Sequence, residues 1–307
     1  MLILLLLCGC GAGEQDNSQT RFLLDTVADI TALCDDETLS GAFELCERLE
    51  KVLSRTVSGS DVDRLNGTDG FVSVSEDTLK TVERAVYFSD LSGGKFDITI
   101  CSVSELWDFK NQVVPSRDEI AEALKNVDYH SIDINGNEIS LQGKKIDLGG
   151  IAKGYITDRV REYFADRDVK KALINLGGNI GMIGKYSIGI KKPFEDSVIA
   201  TVELQDKSVS TSGIYERYIK KDGKLYHHVL DPETGYGAEN ELASVTVIGN
   251  SSLDCDALST VCLLSGTEDG LNIIENTADT EAVFIDRDNN ITLSSGLYRE
   301  NGKIYFK

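Results

Sequence analysis

Lys221-Asp222-Gly223-Lys224-Leu225-Tyr226-His227-His228-Val229-Leu230 sets a two-residue turn in front of a β-prone run, and this pattern decides the fold class. Asp-Gly supplies the positive φ angles that a tight hairpin requires. Asn135-Gly136 and Asn301-Gly302 repeat the signal on either side, so the second half of the chain reads as short strands joined by tight turns. Helical patterns are interleaved at about 150 to 165, 253 to 265 and 268 to 277. Strands beside hairpin turns outnumber strand-helix-strand units, which predicts an α+β fold with mainly antiparallel sheets and interleaved helices.

Towards the N-terminus the periodicity changes. Leu39, Ala42, Phe43, Cys46, Leu49, Val52 and Leu53 recur at helical spacing and predict an amphipathic helix over 36–53. Ser75 caps a second helix carrying Leu79, Val82, Val86 and Leu91, which Gly93-Gly94 ends, and Ser116 with Glu119 makes a capping box for a third. The apolar stretch from Phe22 to Leu33 reads as one strand, with order beginning at Phe22. Gly11 to Thr20 is small and polar, a tether. Met1 to Leu7 is too short for a bilayer span of roughly 20 residues and reads as a signal-peptide core. Leu7-Cys8-Gly9-Cys10 resembles a bacterial lipobox, with Cys10 as the acylated residue. The expected organisation is a signal peptide at 1–9, a lipidated tether at 10–20 and one compact body at 21–307, anchored at the extracytoplasmic face of a cell membrane.

Composition narrows the chemistry. With 51 acidic against 31 basic residues among 307, the formal net charge of -20 would repel nucleic-acid backbones, so nucleic acid is excluded as a partner class. Only His130, His227 and His228 are present, which points any metal towards oxygen ligands and hard cations such as magnesium. Cys34, Cys46, Cys101, Cys255 and Cys262 are odd in number and widely spaced, and read as small buried hydrophobes.

Three clusters carry possible chemistry. Ile146-Asp147-Leu148-Gly149-Gly150-Ile151-Ala152-Lys153-Gly154-Tyr155 runs from a strand end through glycines into a helix start, where free amides and Lys153 suit phosphate oxygens. The same residues are equally read as a helix cap and a surface lysine. Asp256, Ser259 and Thr260 share one helix face, an incomplete oxygen shell of the kind a substrate-bridging cation uses; plain N-terminal capping explains them as well. Tyr226 to Gly235 is a β-run stopped by Asp231-Pro232, and one of its adjacent histidines can serve as a base for a hydroxyl or as an ordinary half-buried residue. Walker, GxSxG and GxGxxG motifs are missing, and Leu176-Gly177-Gly178-Asn179 needs no more than a sharp turn.

Taken in order, these segments resemble the ApbE family of FAD:protein FMN transferases. The likeness runs from about Phe22 to Gly266, through Leu53-Ser54, Arg64-Leu65-Asn66, Lys95-Phe96-Asp97, Asp147 to Tyr155, Asn175 to Asn179, Ser210 to Arg217, His228 to Gly235, Ser244 to Val247 and Asp256 to Thr260. It implies an ApbE/T-fold-like, two-lobed body. It further implies that FMN passes from FAD to a Ser or Thr hydroxyl of an acceptor flavoprotein of membrane redox complexes, with release of AMP. The implied FAD contacts are Leu24, Thr56, Lys95, Phe96, Asp97, Asp147, Lys153 and Leu230. Magnesium would rest on the Gly150 carbonyl, Asp256 and Thr260, with Ser259 a weaker candidate, and His228 matches the family's base. Thr56 departs from the larger residue common at its position, and Gly237 replaces a common proline, a change expected to affect only loop stiffness. Two competing readings are an FAD pyrophosphatase giving FMN and AMP, and a non-catalytic FAD-binding lipoprotein.

Overall fold

The computed structural model describes residues 16–307. The expected signal peptide at 1–9 and Cys10 lie outside the described residues. An eight-stranded sheet organises the molecule, in the order Asn17–Leu23, Thr26–Ala32, Ala172–Leu176, Asn179–Ile183, Ser208–Gly213, Leu242–Gly249, Glu281–Asp286 and Ile291–Leu293, every pair antiparallel. One face packs on the helices Asp36–Leu53, Ala152–Ala165 and Ser252–Glu275. The other is covered by a four-stranded sheet of Lys185–Lys191, Val198–Gln205, Lys303–Phe306 and Leu297–Glu300, through Met182, Ile190, Val202, Val209, Ile248 and Val283. The α+β, mainly antiparallel expectation holds; within the described sheets only Lys303–Phe306 pairs in parallel, against Val198–Gln205.

Local signals explain the helices. The Asp35 side chain accepts from Thr38 N at the head of Asp36–Leu53, Ser75 caps Glu76–Leu91, and both halves of the Ser116/Glu119 box form. Asp36–Leu53 buries Leu39, Ala42, Phe43, Cys46, Leu49 and Leu53, the stripe its spacing predicts. The helices expected at 253 to 265 and 268 to 277 are one run, Ser252–Glu275, broken at Gly266, whose φ of 81° no helix tolerates. Cys46, Cys101, Cys255 and Cys262 are free and buried, while Cys34 is half-buried.

Two expectations are corrected. The tether does not reach Thr20, because Asn17–Leu23 is already the edge strand of the main sheet, with Asn17 opposite Ala32. Nor is Phe22 to Leu33 a single strand: the chain reverses at Leu24 (φ 57°) and Asp25 (φ 53°), a hairpin turn made without glycine. The Leu24 amide donates to Glu50 Oε1 at 2.9 Å, which helps to hold this left-handed turn. The Asp222-Gly223 and Asn301-Gly302 hairpins form as expected, whereas the other turn falls one residue later, on Gly136-Asn137.

Candidate active site

The site is built where the start of Ala152–Ala165 meets the start of Ser252–Glu275. Ile151 caps the first helix with no side-chain bond; the Ala152 amide bonds the Leu148 carbonyl, while Lys153 N has no backbone acceptor among the described residues. Gly154 N donates to Asp256 Oδ2 at 2.9 Å, across 102 residues of sequence. In an ordinary helix that amide would bond the Gly150 carbonyl one turn back. Here Asp256 takes it, and no backbone amide among the described residues donates to Gly150 O. The close approach requires glycine: a Cβ on Gly154 would stand 2.7 Å from Leu253 Cα and from Asp256 Cβ. A Cβ on Gly150 would stand 3.2 Å from the Phe96 ring.

Asp256 is 5% exposed, and burial pushes its carboxyl up, opposed by the Lys153 charge and by bonds from Gly154, Asn179 and Ser210. Among the described residues no cationic side chain pairs with it, and Lys153 Nζ donates instead to Gly149 O at 3.1 Å. Asn179 is 3% exposed and its Oδ1 has no partner. Ser212 Oγ lies 2.8 Å from Ser259 Oγ and 3.0 Å from Thr260 Oγ1, and Ser259 Oγ donates to the Asp256 carbonyl. A buried carboxylate, an unbonded carbonyl, an orphaned amide oxygen and a hydroxyl make an oxygen-only set that suits a hard divalent cation. The fold thus brings the helix start at 150–154 into direct contact with Asp256, and Thr260 is linked to it through Ser212 and Ser259.

Around this point the loop 146–150 is braced from several elements. The Asn66 side chain both donates to and accepts from the Ile146 backbone, at 2.9 and 2.7 Å. Asp147 accepts Gly149 N on Oδ1 and Arg55 Nε on Oδ2, so it closes the bend and does not cap the helix. Lys95 pairs with Asp231 at 3.1 Å and Glu233 at 3.3 Å, on the wall of a cleft of about 540 Å³ that also includes Ser92, Asn240 and Leu264. That volume lies within the range of small-molecule sites. Thr56 is exposed beside Arg55, its hydroxyl 3.0 Å from Ser54 Oγ. Leu24 sits at the turn already described.

Not every expected contact points outward. Asp97 is buried and spends both oxygens within the chain, on Thr99 and on Tyr129 N, which braces the turn after Phe96. Leu230 is buried in an apolar cluster with Val103, Trp107, Ile120 and Ile219. Both shape the site's walls through the backbone they hold.

His228 follows the strand Lys224–His227; its ring Nδ1 faces the Arg217 carbonyl at 3.3 Å and packs edge-on to Phe109. Crowding by the surrounding chain, then the Arg217 and His227 charges, with Lys153 adding to them, lower its pKa to about 3. Its neighbour His227 turns inward, bonded to Ala238 O at 3.1 Å. Gly237 has a steric reason as well: any Cβ there would come within 2.8 Å of the His227 ring, so more than loop stiffness is at stake.

Residues 24–284 match the ApbE family. The chain belongs to that family. Among its ApbE relatives, an FAD:protein FMN transferase of Klebsiella pneumoniae (strain 342) is 39% identical over 271 residues, covering 85% of this chain and 86% of its own. A second, from Treponema pallidum (strain Nichols), is 29% identical over 325 residues, covering 94% and 90%. Of solved structures, the ApbE protein of Thermotoga maritima MSB8 aligns with a TM-score of 0.85 at 32% identity, covering 92% of this chain and 97% of that one. The flavin transferase ApbE from Vibrio cholerae gives 0.83 at 25% identity, with the same coverage.

Further polar residues line this junction: Ser210, Ser212, Asn66 and Asn179 lie in segments that carried the resemblance but were given no role there, and Ser208 and Arg55 lie outside those segments. Ser208, Ser210 and Ser212 alternate on one strand and turn their hydroxyls to Arg161, Asp256 and the Ser259/Thr260 pair. A polar residue at every second position of a strand is a legible sign of a polar face. Asn66, Arg55 and Asn179 leave no such local mark, because their partners are distant in sequence.

Proposed function

We propose that this chain is an FAD:protein FMN transferase, moving FMN from FAD to a Ser or Thr hydroxyl of an acceptor flavoprotein. The observation that carries the reading is the junction of Gly154 with Asp256, which sets an uncapped helix start, a buried carboxylate and Lys153 side by side. The unbonded Lys153 amide and the Lys153 side chain bind phosphate oxygens and orient the FMN phosphorus. The acceptor oxygen forms its bond to that phosphorus as the bond to the AMP phosphate oxygen breaks, and AMP leaves with the electron pair. His228 takes the hydroxyl proton. A proton on its Nδ1, donated to the Arg217 carbonyl, leaves Nε2 free for that role.

The oxygen set fits magnesium, which Gly150 O, Asp256 and Thr260 would hold; when bound it supplies charge neutralisation at the pyrophosphate. We further assign the acceptors to flavoprotein domains of membrane redox complexes, and the enzyme to the extracytoplasmic membrane face through acylated Cys10. Confinement to the same surface raises the effective concentration of the pair. Intact-mass measurement of an acceptor domain incubated with this protein, FAD and magnesium should find a gain equal to FMN less water. An unchanged mass across several acceptors would remove the transfer reading.

A second reading, FAD pyrophosphatase, is favoured by one observation. Thr56 is small and exposed where the resemblance implies a larger side chain packed on the dinucleotide, an arrangement that would cover the phosphate less completely against water. Stoichiometric AMP release from FAD without any acceptor would make hydrolysis the main activity.

A further inference from the structure

Gly154, Asp158 and Arg161 stand at i, i+4 and i+7 of the helix Ala152–Ala165 and share one of its faces. All three meet the segment that opens Ser252–Glu275. Gly154 N donates to Asp256 Oδ2. Asp158 Oδ1 accepts Ser252 N at 2.8 Å, and its Oδ2 accepts Leu253 N and Ser251 Oγ, each at 2.9 Å. Arg161 donates to Asn250 O at 2.7 Å and to Ser208 Oγ at 2.8 Å, and its Nη1 lies 3.5 Å from Asp158 Oδ1.

A helix start leaves its first amides without partners inside the helix. In Ser252–Glu275 the Ser251 hydroxyl satisfies Asp254 N, and the two amides before it go to Asp158. The capping carboxylate comes from another helix, so it is a link between elements as well as a cap. Gly154 to Asp158 is one turn of the first helix, and Ser252 to Asp256 is one turn of the second, about 6 Å of rise in each. Gly154 pairs with Asp256 while Asp158 pairs with Ser252, which pins the two turns against each other at both ends. A slip of one residue, about 1.5 Å, would break both pins. Arg84 ties the same turn to a third helix, Glu76–Leu91, through two bonds to Asp254 at 2.7 and 2.8 Å, but is bonded to neither Gly154 nor Asp256.

We propose that Asp158 is a positioning residue of the site: it sets the register in which Asp256 takes the Gly154 amide and the Gly150 carbonyl stays unbonded. Asp158 acts through Asp256 and exchanges no proton or bond in the reaction. The inference deepens the transferase reading and rests on it for its consequence in catalysis. Without Asp158, Ser252 N and Leu253 N lose their acceptors, and Asp256 loses the pin that holds it against Gly154.

The test sets Asp158→Ala and Asp158→Asn against Arg84→Ala, in the full chain. Both alanine variants should lower the urea midpoint, since each cuts a tie of the same turn. Hydrogen exchange of the Gly154 amide should quicken about tenfold or more in Asp158→Ala and stay within about twofold in Arg84→Ala. Affinity for Mn2+, the probe for a hard divalent cation, measured with FAD present, should fall about tenfold in Asp158→Ala and hold in Arg84→Ala. Asp158→Asn, which keeps one acceptor oxygen, should lie between Asp158→Ala and the parent on both readouts. Equal changes in Asp158→Ala and Arg84→Ala would make Asp158 an ordinary cap and overturn the assignment; so would Gly154 exchange or Mn2+ affinity that ignores both Asp158 variants. A parent that flavinylates no acceptor, while its Gly154 amide responds to Asp158 as expected, sinks the transferase reading alone and leaves the register assignment standing.

Discussion

The two ends of the site are made differently. Asp256 is buried, bonded to the backbone of another helix and surrounded by hydroxyls from the strand Ser208–Gly213 and from its own helix. His228 keeps a partly open ring, one backbone acceptor and an edge contact with Phe109. On the proposed reading, the groups that would meet a cation and a pyrophosphate with fixed geometry sit on rigid elements, where their rotamers are locked by packing. The group that must meet a second protein is left at the rim, where an incoming chain can reach it. Preorganisation and access are thus separated in space.

The largest expected break in this contrast is Asp256→Asn. The amide keeps an oxygen for Gly154 N but loses the charge, so the fold should persist while transfer falls about 1000-fold, equivalent to roughly 4 kcal/mol. Mass-resolved flavinylation rates check this; a loss under tenfold would deny Asp256 its place. His228→Ala should lower the same rate about 100-fold. Its urea midpoint should hardly move, since the ring has few bonds to lose. Gly154→Ala tests the junction itself: the added methyl meets Leu253 and Asp256, and overpacking of this kind costs about 1–3 kcal/mol. Urea denaturation at pH 7 would measure it.

The smallest effect concerns acid, because the His228 ring is half-buried and solvent screens much of the shift. The folded pKa of His228 lies near 3, below the unfolded value near 6.5, so the unfolded chain binds more protons between these limits. Stability from this group is complete above about pH 6.5 and declines as pH falls towards 3. His228→Gln should therefore lose less stability than its parent between pH 6.5 and 4. Parallel midpoints would indicate that solvent reaches the ring freely.

What could be read in advance divides along similar lines. Ser75, and Ser116 with Glu119, announced their helices because a cap acts within one turn. The Asp147 to Tyr155 and Asp256 to Thr260 clusters were legible because each lies within a few residues. The Leu24-Asp25 reversal was hidden, because its left-handed residues are not glycines and one is supported by Glu50 from a neighbouring helix. Asp97 was implied as a ligand contact, yet one oxygen is taken by Thr99 two residues on and the other by Tyr129 N, a partner fixed only by the fold. Gly237 looked like a loosened proline until the His227 ring beside it was known. Short-range chemistry leaves a written trace; contacts assembled by tertiary packing do not.

The strand Leu242–Gly249 is buried along all eight residues and lies between Ser208–Gly213 and Glu281–Asp286, with Val245 and Val247 on the helical side and Ile248 on the other. Its amides have no route to solvent through a local breath of the surface. In deuterated water they should be the slowest clock in the molecule, ticking only when the whole sheet comes apart.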